Sequence, residues 1–405
     1  MTAVSVTETG PGTPHSLSPS QARLLAASSI VSVEPLDDTT WLVSGTGKVG
    51  VAQIGDMTVR IEPKLPIGRI FFLLGYGRKF AWQDDLVPYE TTDDLVHVLA
   101  DAFARQAERT LRRGVLQDYV QRDDELAVVR GRLREREQLT RRFGQVTPLL
   151  VRYDDFTIDI VENQLVRAAA QVMRHVPGLD PSVARRLRAI TVLLDDVSDL
   201  VLGQQLPAWR SNRRNAHYET VLWFAAMILR HRSIDLPAGS VEVNGFIINM
   251  AKVFEDFLEK ALGDALEHID GRVSPQDPQW LDVDSAVKMN PDLVWYRSGK
   301  PAAVIDAKYK AEKVAGYPNA DLYQMLAYCT SLGLPIGHLV YAKGNEAETS
   351  HVVRGSGVEI RAHALDLELM PVDLLAQVDE MAATIAQLVS TAVAPKQCRG
   401  VGGWL

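Results

Sequence analysis

Between residues 28 and 65, apolar and polar positions alternate in short runs: "IVSVEPL", "TTWLVSG", "VGVAQIG" and "MTVRIEP". The runs are rich in β-branched residues and are punctuated by Gly-Thr-Gly and Gly-Asp, which predicts strands joined by tight turns. From 93 to 235 the apolar period lengthens. "DDLVHVLADAFARQAERTLRR" and "ETVLWFAAMILRHR" repeat every three to four positions and predict helices. Between them, "LAVVRGRLRERE" reads as a strand with Arg130, Arg132, Arg134 and Arg136 on one face; as a helix it would pair Arg with Glu at mixed spacings. "DLPAGS" at 235–240 marks a boundary. Beyond it, "NMAKVFEDFLEKAL" (249–262) sets Met250, Val253, Phe254, Phe257, Leu258, Ala261 and Leu262 on one helical stripe, with Glu255 at its edge. A strand-like stretch at "WLDVDSAV", a hairpin, a helix at "NADLYQMLAYCTSL" closed by Gly333 and Pro335, and a strand at "IGHLVYAKG" complete the order helix, three strands, helix, strand.

These patterns predict an α+β multidomain chain. A disordered tail is expected at 1–18, a β-rich N-terminal domain at 19–92, a mainly helical middle region at 93–239 and an α/β core (αβββαβ) at 240–405. A length of 405 residues suffices for two or three hydrophobic cores, and 46% hydrophobic with 23% charged residues is ordinary for a soluble globular protein. The first residues, "MTAVSVTETGPGTPHSLSPS", lack the basic start and apolar stretch of a signal peptide, and their Pro, Gly, Ser and Thr content predicts disorder. The longest apolar runs, such as "IFFLL" at 70–74, are far shorter than the ~20 residues that span a bilayer, so no membrane is expected. Cys329 and Cys398 stand far apart without a CxxC, against a disulfide framework or a zinc site. A cytoplasmic location fits this usage.

A net charge of −8 argues against attraction of nucleic acid over the whole surface. The charge is uneven, however: Arg105 to Arg152 holds 12 Arg against 7 Asp and Glu. That segment is a candidate for polyanion contact or for an arginine placed against a partner's nucleotide, and equally for a solvated face with internal Arg–Glu pairs. Other chemistry fades quickly. "SGTGKVG" (44–50) lacks the spacing of a phosphate loop, and turns between strands explain its glycines better. Neither an HExxH nor a GxSxG is present.

The hairpin carries the chemistry. In "NPDLVWYRSGKPAAVIDAKYK" (290–310) a turn at "RSGK" sets Asp292 opposite residue 305 or 306, and Asp306 and Lys308 share a face of the second strand. Two carboxylates brought that close repel, and one is protonated unless a cation neutralises them. A hard divalent ion does this, Mg²⁺ in particular, which uses one or two carboxylates plus waters and phosphate oxygens. The other acid-x-Lys, Glu62-Pro63-Lys64, has a proline interrupting its strand and no Asp opening a preceding one, so it reads as structural or partner-facing.

Pro291-Asp292 followed, after 13 intervening residues, by Asp306-Ala307-Lys308 resembles the PD-(D/E)xK nuclease superfamily, as does the helix–three strands–helix–strand order. The resemblance implies Asp292 and Asp306 as metal ligands, with the Ala307 carbonyl and Glu255 as further ones. It gives Lys308 the role of orienting or activating the attacking water. Gln324 and Tyr328, on one helical face with Asp321, resemble the Gln/Tyr helix of the RecB-like branch. More widely, "GKVGVAQIGDMTVRIEPKL", "ENQLVRAA", "NMAKVFEDFLEKAL" and "NPDLVWY…VIDAKYK…DLYQMLAY", over about 45–345, resemble the McrC family, the nuclease subunit of McrBC-type restriction systems. That resemblance implies a Mg²⁺-dependent endonuclease acting on modified double-stranded DNA. It also implies a McrB-like AAA+ GTPase ring whose hydrolysis the N-terminal and middle regions stimulate. With the ring holding DNA, the nuclease needs phosphate contacts only near Lys308, Lys310 and Lys313. Two alternatives stand beside it: a non-catalytic activator of an AAA+ NTPase, and a stand-alone RecB-like nuclease.

Overall fold

The alternating N-terminal runs form strands as predicted, and two more strands precede them. The protein is described by a computed structural model over residues 2–76, 95–200, 206–231, 243–309, 319–342 and 349–393. Its first elements are β1 (Thr2–Thr7), β2 (Thr13–Ser16), α1 (Pro19–Ala27), β3 (Val31–Pro35), β4 (Thr40–Gly45), β5 (Lys48–Ile54), β6 (Met57–Glu62) and α2 (Ile67–Gly75). The expected disordered tail is therefore a correction: residues 2–16 hold β1 and β2. In β1, Val4 and Val6 are buried while their neighbours face outward, so the strand buries one apolar face beside β6, to which it runs parallel. Ser18 caps α1 in a capping box with Gln21.

Glu8, just past β1, is fully buried. Its N–H donates to the Glu62 carbonyl at 2.8 Å, and its own carbonyl accepts the Gly47 N–H at 3.0 Å. The Lys64 N–H donates to its carboxylate at 3.2 Å. Burial pushes the Glu8 carboxyl up, and the Tyr309 hydroxyl facing it offsets part of that. The glycines of "SGTGKVG" belong to this packing rather than to a phosphate loop: a Cβ on Gly45 would lie 2.2 Å from the Glu8 carbonyl oxygen.

The middle region contributes α3 (Leu95–Leu111), β7 (Asp118–Leu126), β8 (Arg132–Leu133), α4 (Glu135–Arg141), β9 (Leu149–Thr157), α5 (Val161–Arg174), α6 (Pro181–Leu193) and α7 (Glu219–His231). Its helices are interrupted by an antiparallel sheet of order β7-β9-β8. The strand expected across 126–137 shrinks to Arg132–Leu133, followed by α4. Two of the four expected arginines turn to acids on neighbouring strands: Arg134 meets Asp123 at 3.3 Å, where Arg152 of β9 also meets it at 2.6 Å, and Arg130 meets Asp155 at 2.6 Å.

The C-terminal part runs β10 (Val243–Asn249), α8 (Met250–Ile269), β11 (Arg272–Pro275), β12 (Gln279–Trp280), β13 (Lys288–Met289), β14 (Leu293–Arg297), β15 (Lys300–Lys308), α9 (Asn319–Leu332), β16 (Ile336–Ala342), β17 (Thr349–Val352), β18 (Glu359–Leu365) and α10 (Pro371–Val393). Among the described residues this makes a mixed α and β protein of ten α-helices and five sheets. The largest sheet has the order β11-β14-β15-β16-β18-β17, antiparallel from β11 to β15 and parallel from β15 to β18. Alternation along its strands assigns the two faces: Leu293, Trp295, Ala303 and Ile305 join the cluster holding α8 and α10, while Val294, Val304 and Leu339 pack with Met325 and Tyr328 of α9. β10 joins a different sheet. It pairs antiparallel with β5, in the order β1-β6-β5-β10, and passes straight into α8, whose first turn the Asn249 side chain caps at 3.0 Å. The N-terminal sheet thus fixes where α8 begins.

Candidate active site

The turn between β14 and β15 puts Ser298 at φ 50° and Gly299 at φ 75°, two successive left-handed residues of the kind that match the twist of a two-residue hairpin. Regular pairing ends at Leu293↔Ile305, and one residue further Asp292 and Asp306 face each other at the same end of the ribbon. Both lie on the α9 face, by the parity they share with Val294 and Val304.

Asp306 is only 3% exposed and its carboxylate pairs with the Lys308 ammonium. Asp292 Oδ2 accepts the Ala307 N–H at 2.7 Å. Burial raises the Asp292 carboxyl to about 7; the charges of Asp306 and Glu255 add to the rise, while the Ala307 N–H and Lys308 oppose it. Asp306 is raised as well, by burial first, with Lys308 lowering it and Asp321 and Glu255 raising it. Two buried acids beside one ammonium leave the site short of positive charge.

Helix α9 supports the lysine. Lys308 Nζ donates to Gln324 Oε1 at 2.9 Å, Gln324 Nε2 to the Tyr328 hydroxyl at 2.7 Å, and that hydroxyl to the Asn290 carbonyl at 3.2 Å. The chain of bonds runs from the lysine back to the segment that leads into Asp292. Asp321, on the same helical face, is buried and accepts the Tyr341 hydroxyl at 3.3 Å.

The structure therefore gathers Asp292, Asp306, Ala307, Lys308 and Gln324. Glu255 reaches the same region from α8, close enough for its charge to raise both aspartates. Its Oε1, however, accepts Lys252 at 2.6 Å and Gln276 at 2.9 Å. Among the described residues, no three His, Cys, Asp or Glu side chains stand where they could jointly hold a metal ion. As a third carboxylate ligand Glu255 is thus out of place in this arrangement, because two other donors occupy it. Lys252 and Gln276 escaped the sequence reading. The i,i+3 spacing of Lys252 and Glu255 carried a signal for the first. Gln276 carried none, since its contact follows from a left-handed backbone at φ 45° and an N–H bonded to the Asp292 carbonyl at 2.9 Å. Lys310 and Lys313, and the boundary at 235–240, lie outside the described residues.

The family model described as McrBC 5-methylcytosine restriction system component matches residues 43–342. No curated protein sequence matches the chain. A refined half-complex from a tetradecameric assembly of Thermococcus gammatolerans McrB AAA+ hexamers with bound McrC has a chain similar to this one at a TM-score of 0.56 and 17% identity, covering 95% of this chain and 100% of that one. The cryo-EM structure of the Thermococcus gammatolerans McrBC complex matches at a TM-score of 0.41 and 16% identity, over 65% of this chain and 88% of that one.

Proposed function

The chain belongs to the McrBC 5-methylcytosine restriction system component family, and we propose that it is a McrC-type subunit that hydrolyses phosphodiester bonds of modified double-stranded DNA with Mg²⁺. The observation that carries the proposal is the convergence of Asp292, Asp306 and Lys308 at one end of the β14–β15 ribbon. The order α8, β11, β14, β15, α9, β16, with the short β12–β13 pair inserted and the first strand at 272–275 instead of "WLDVDSAV", supports a PD-(D/E)xK core. Cleavage is assigned to 240–405, and contact with a McrB-like AAA+ GTPase ring, including stimulation of its hydrolysis, to 19–92 and 93–239. In the similar Thermococcus gammatolerans assembly, McrC is bound to McrB AAA+ hexamers. Among the described residues no helix is long and apolar enough to cross a membrane.

The residues present fit Mg²⁺. Asp292 and Asp306 supply the one or two carboxylates that this ion takes from a protein, and the missing positive charge is what lets both ionise. The Ala307 carbonyl would be a further donor beside the pair, and Glu255 would become one only on release from Lys252 and Gln276. Bound there, the ion supplies charge neutralisation at the phosphate and a more acidic water. Lys308 orients the attacking water and faces the negative charge that grows on phosphorus, while Gln324 and Tyr328 keep its ammonium from swinging away. Ala307 N–H holds the Asp292 carboxylate in one rotamer.

The acid pair makes a stability prediction. A carboxyl raised in the folded state contributes stability at pH 4 that is lost as pH rises through its folded value of about 7. At pH 8 the metal-free chain therefore carries a penalty of a few kcal/mol that an amide would not. Asp292→Asn is expected to melt above the unaltered chain at pH 8 in EDTA, with the gap closing toward pH 5. Mg²⁺ should raise the melting temperature of the unaltered chain and not of the variant. An Asn variant that melts lower at pH 8 would contradict the electrostatic account.

The test of function is co-purification with the AAA+ partner, followed by incubation with methylated and unmethylated DNA. Cleavage of the methylated DNA only, requiring both Mg²⁺ and GTP, is expected. Cutting by the isolated chain with Mg²⁺ alone, at the same rate as the complex, would instead mark a stand-alone nuclease.

A further inference from the structure

Helix α8 carries Lys252 in its first turn, where the positive end of the helix dipole disfavours a cation. Two carboxylates on the same helix compensate: the ammonium lies 2.6 Å from Glu255 and 3.0 Å from Asp256. The Glu255 oxygen that meets Lys252 also accepts the Gln276 amide. This carboxylate, whose charge is felt at the aspartate pair, is therefore tied through its Oε1 to two other donors. A cavity of about 380 Å³, lined by Arg230, Lys252, Asp256, Glu259, Pro275 and Gln276, leaves the lysine room to swing.

We propose that Lys252 is an internal counter-ion that parks Glu255 off the Asp292–Asp306 pair, and that Glu255 exchanges the ammonium for the metal once a divalent cation is bound there. Lys252 is thus a positioning residue that acts through Glu255. This rests on the metal reading of the site given above. It accounts for the absence of a gathered three-acid set among the described residues, although the Glu255 charge is felt at both aspartates. The ammonium holds the Glu255 carboxylate in place beside the pair, at the cost of competing with the cation for it. Cation affinity is tuned downward by that competition.

The probe is Mg²⁺ alone, titrated against the full chain and read by the shift in melting temperature. Lys252→Met keeps the aliphatic stem and a good helix former while removing the charge. It should lower the Mg²⁺ concentration for half-maximal shift by roughly three-fold, the scale of one partly exposed ion pair, while Lys252→Arg should leave it unchanged. The same Lys252→Met change made on top of Glu255→Gln should then have no effect, because the route through Glu255 is gone. An equal shift in the Glu255→Gln background would reduce Lys252 to long-range electrostatics and overturn the proposal, as would an unchanged or weakened Mg²⁺ response. Asp306→Asn separates the two ideas. If that variant binds Mg²⁺ as well as the unaltered chain, the metal reading itself fails, whatever Lys252 does.

Discussion

Lys308→Ala and Asp306→Ala are expected to leave a protein that still assembles with its AAA+ partner and stimulates its GTP hydrolysis but no longer cuts DNA. Lys308 stands between the carboxylate of Asp306 and the Gln324 amide oxygen, and the proposed reaction gives its ammonium the task of orienting the attacking water. Losing one such group removes about two to four orders of magnitude from a hydrolysis rate. Losing Asp306 removes half of the acid pair and with it the cation, and the residual rate should fall below detection. Neither change should unfold the chain. In Lys308→Ala the buried Asp306 answers the loss of its partner by taking up a proton, and in Asp306→Ala the lysine keeps Gln324. Lys308→Arg is not expected to rescue cleavage, since a planar guanidinium cannot take the place of a compact ammonium. Gel assays of DNA cleavage beside GTPase measurements on the same complexes decide the matter. Full residual cutting by either variant would sink the catalytic assignment, and GTPase stimulation lost together with cutting would mean the substitution had broken the assembly.

The parts of this site that lie close in sequence were legible. The hairpin could be read because "RSGK" supplies residues that tolerate two left-handed positions, but a two-residue loop alone sets Asp292 opposite Ile305, and only the bulge between Trp295 and Tyr296, which carries no sequence signal, shifts it to Asp306. Helix α9 was legible to its ends, Asn319 and Leu332, because its apolar period stops at Gly333 and Pro335. The N-terminal tail was misread because composition outweighed pattern: Thr, Pro, Gly and Ser around Val4 and Val6 look like a solvated segment until β6 offers an apolar face. The β7–β9 pairing was hidden by charge, since "DYVQRDDEL" is stabilised by cross-strand arginines rather than by an apolar stripe. Nothing local in β10 says that it pairs with β5, nearly two hundred residues earlier. The hold on Glu255 was half legible: the i,i+3 spacing pointed to Lys252, whereas Gln276 arrives from a loop and needed coordinates.

That remote pairing makes Gly50 a position where a single methyl group should damage the fold. Gly50 lies in β5 at φ 141°, paired with Ile247 of β10 on one side and Ile61 of β6 on the other. A Cβ there would stand 2.2 Å from the Phe246 carbonyl oxygen and 3.1 Å from the Ile247 Cα, both backbone atoms that cannot turn aside. Gly50→Ala must therefore push β10 off the sheet while holding a backbone conformation closed to L-residues, a combined cost of about 3 kcal/mol or more. Because β10 runs directly into α8 through the Asn249 cap, a strand displaced by an ångström carries Lys252 and Glu255 with it. Cleavage should fall by more than the lost stability alone explains, since a site misplaced by that distance loses on the order of a hundred-fold in rate. Gly299→Ala is the control: its φ of 75° is also left-handed, but a Cβ there meets nothing within 4 Å. It should cost only about 1–2 kcal/mol and leave cutting near the unaltered level. Melting curves and cleavage rates on the two variants test the link, and a Gly50→Ala protein that melts and cuts like the Gly299→Ala one would show that the β5–β10 pairing does not position α8.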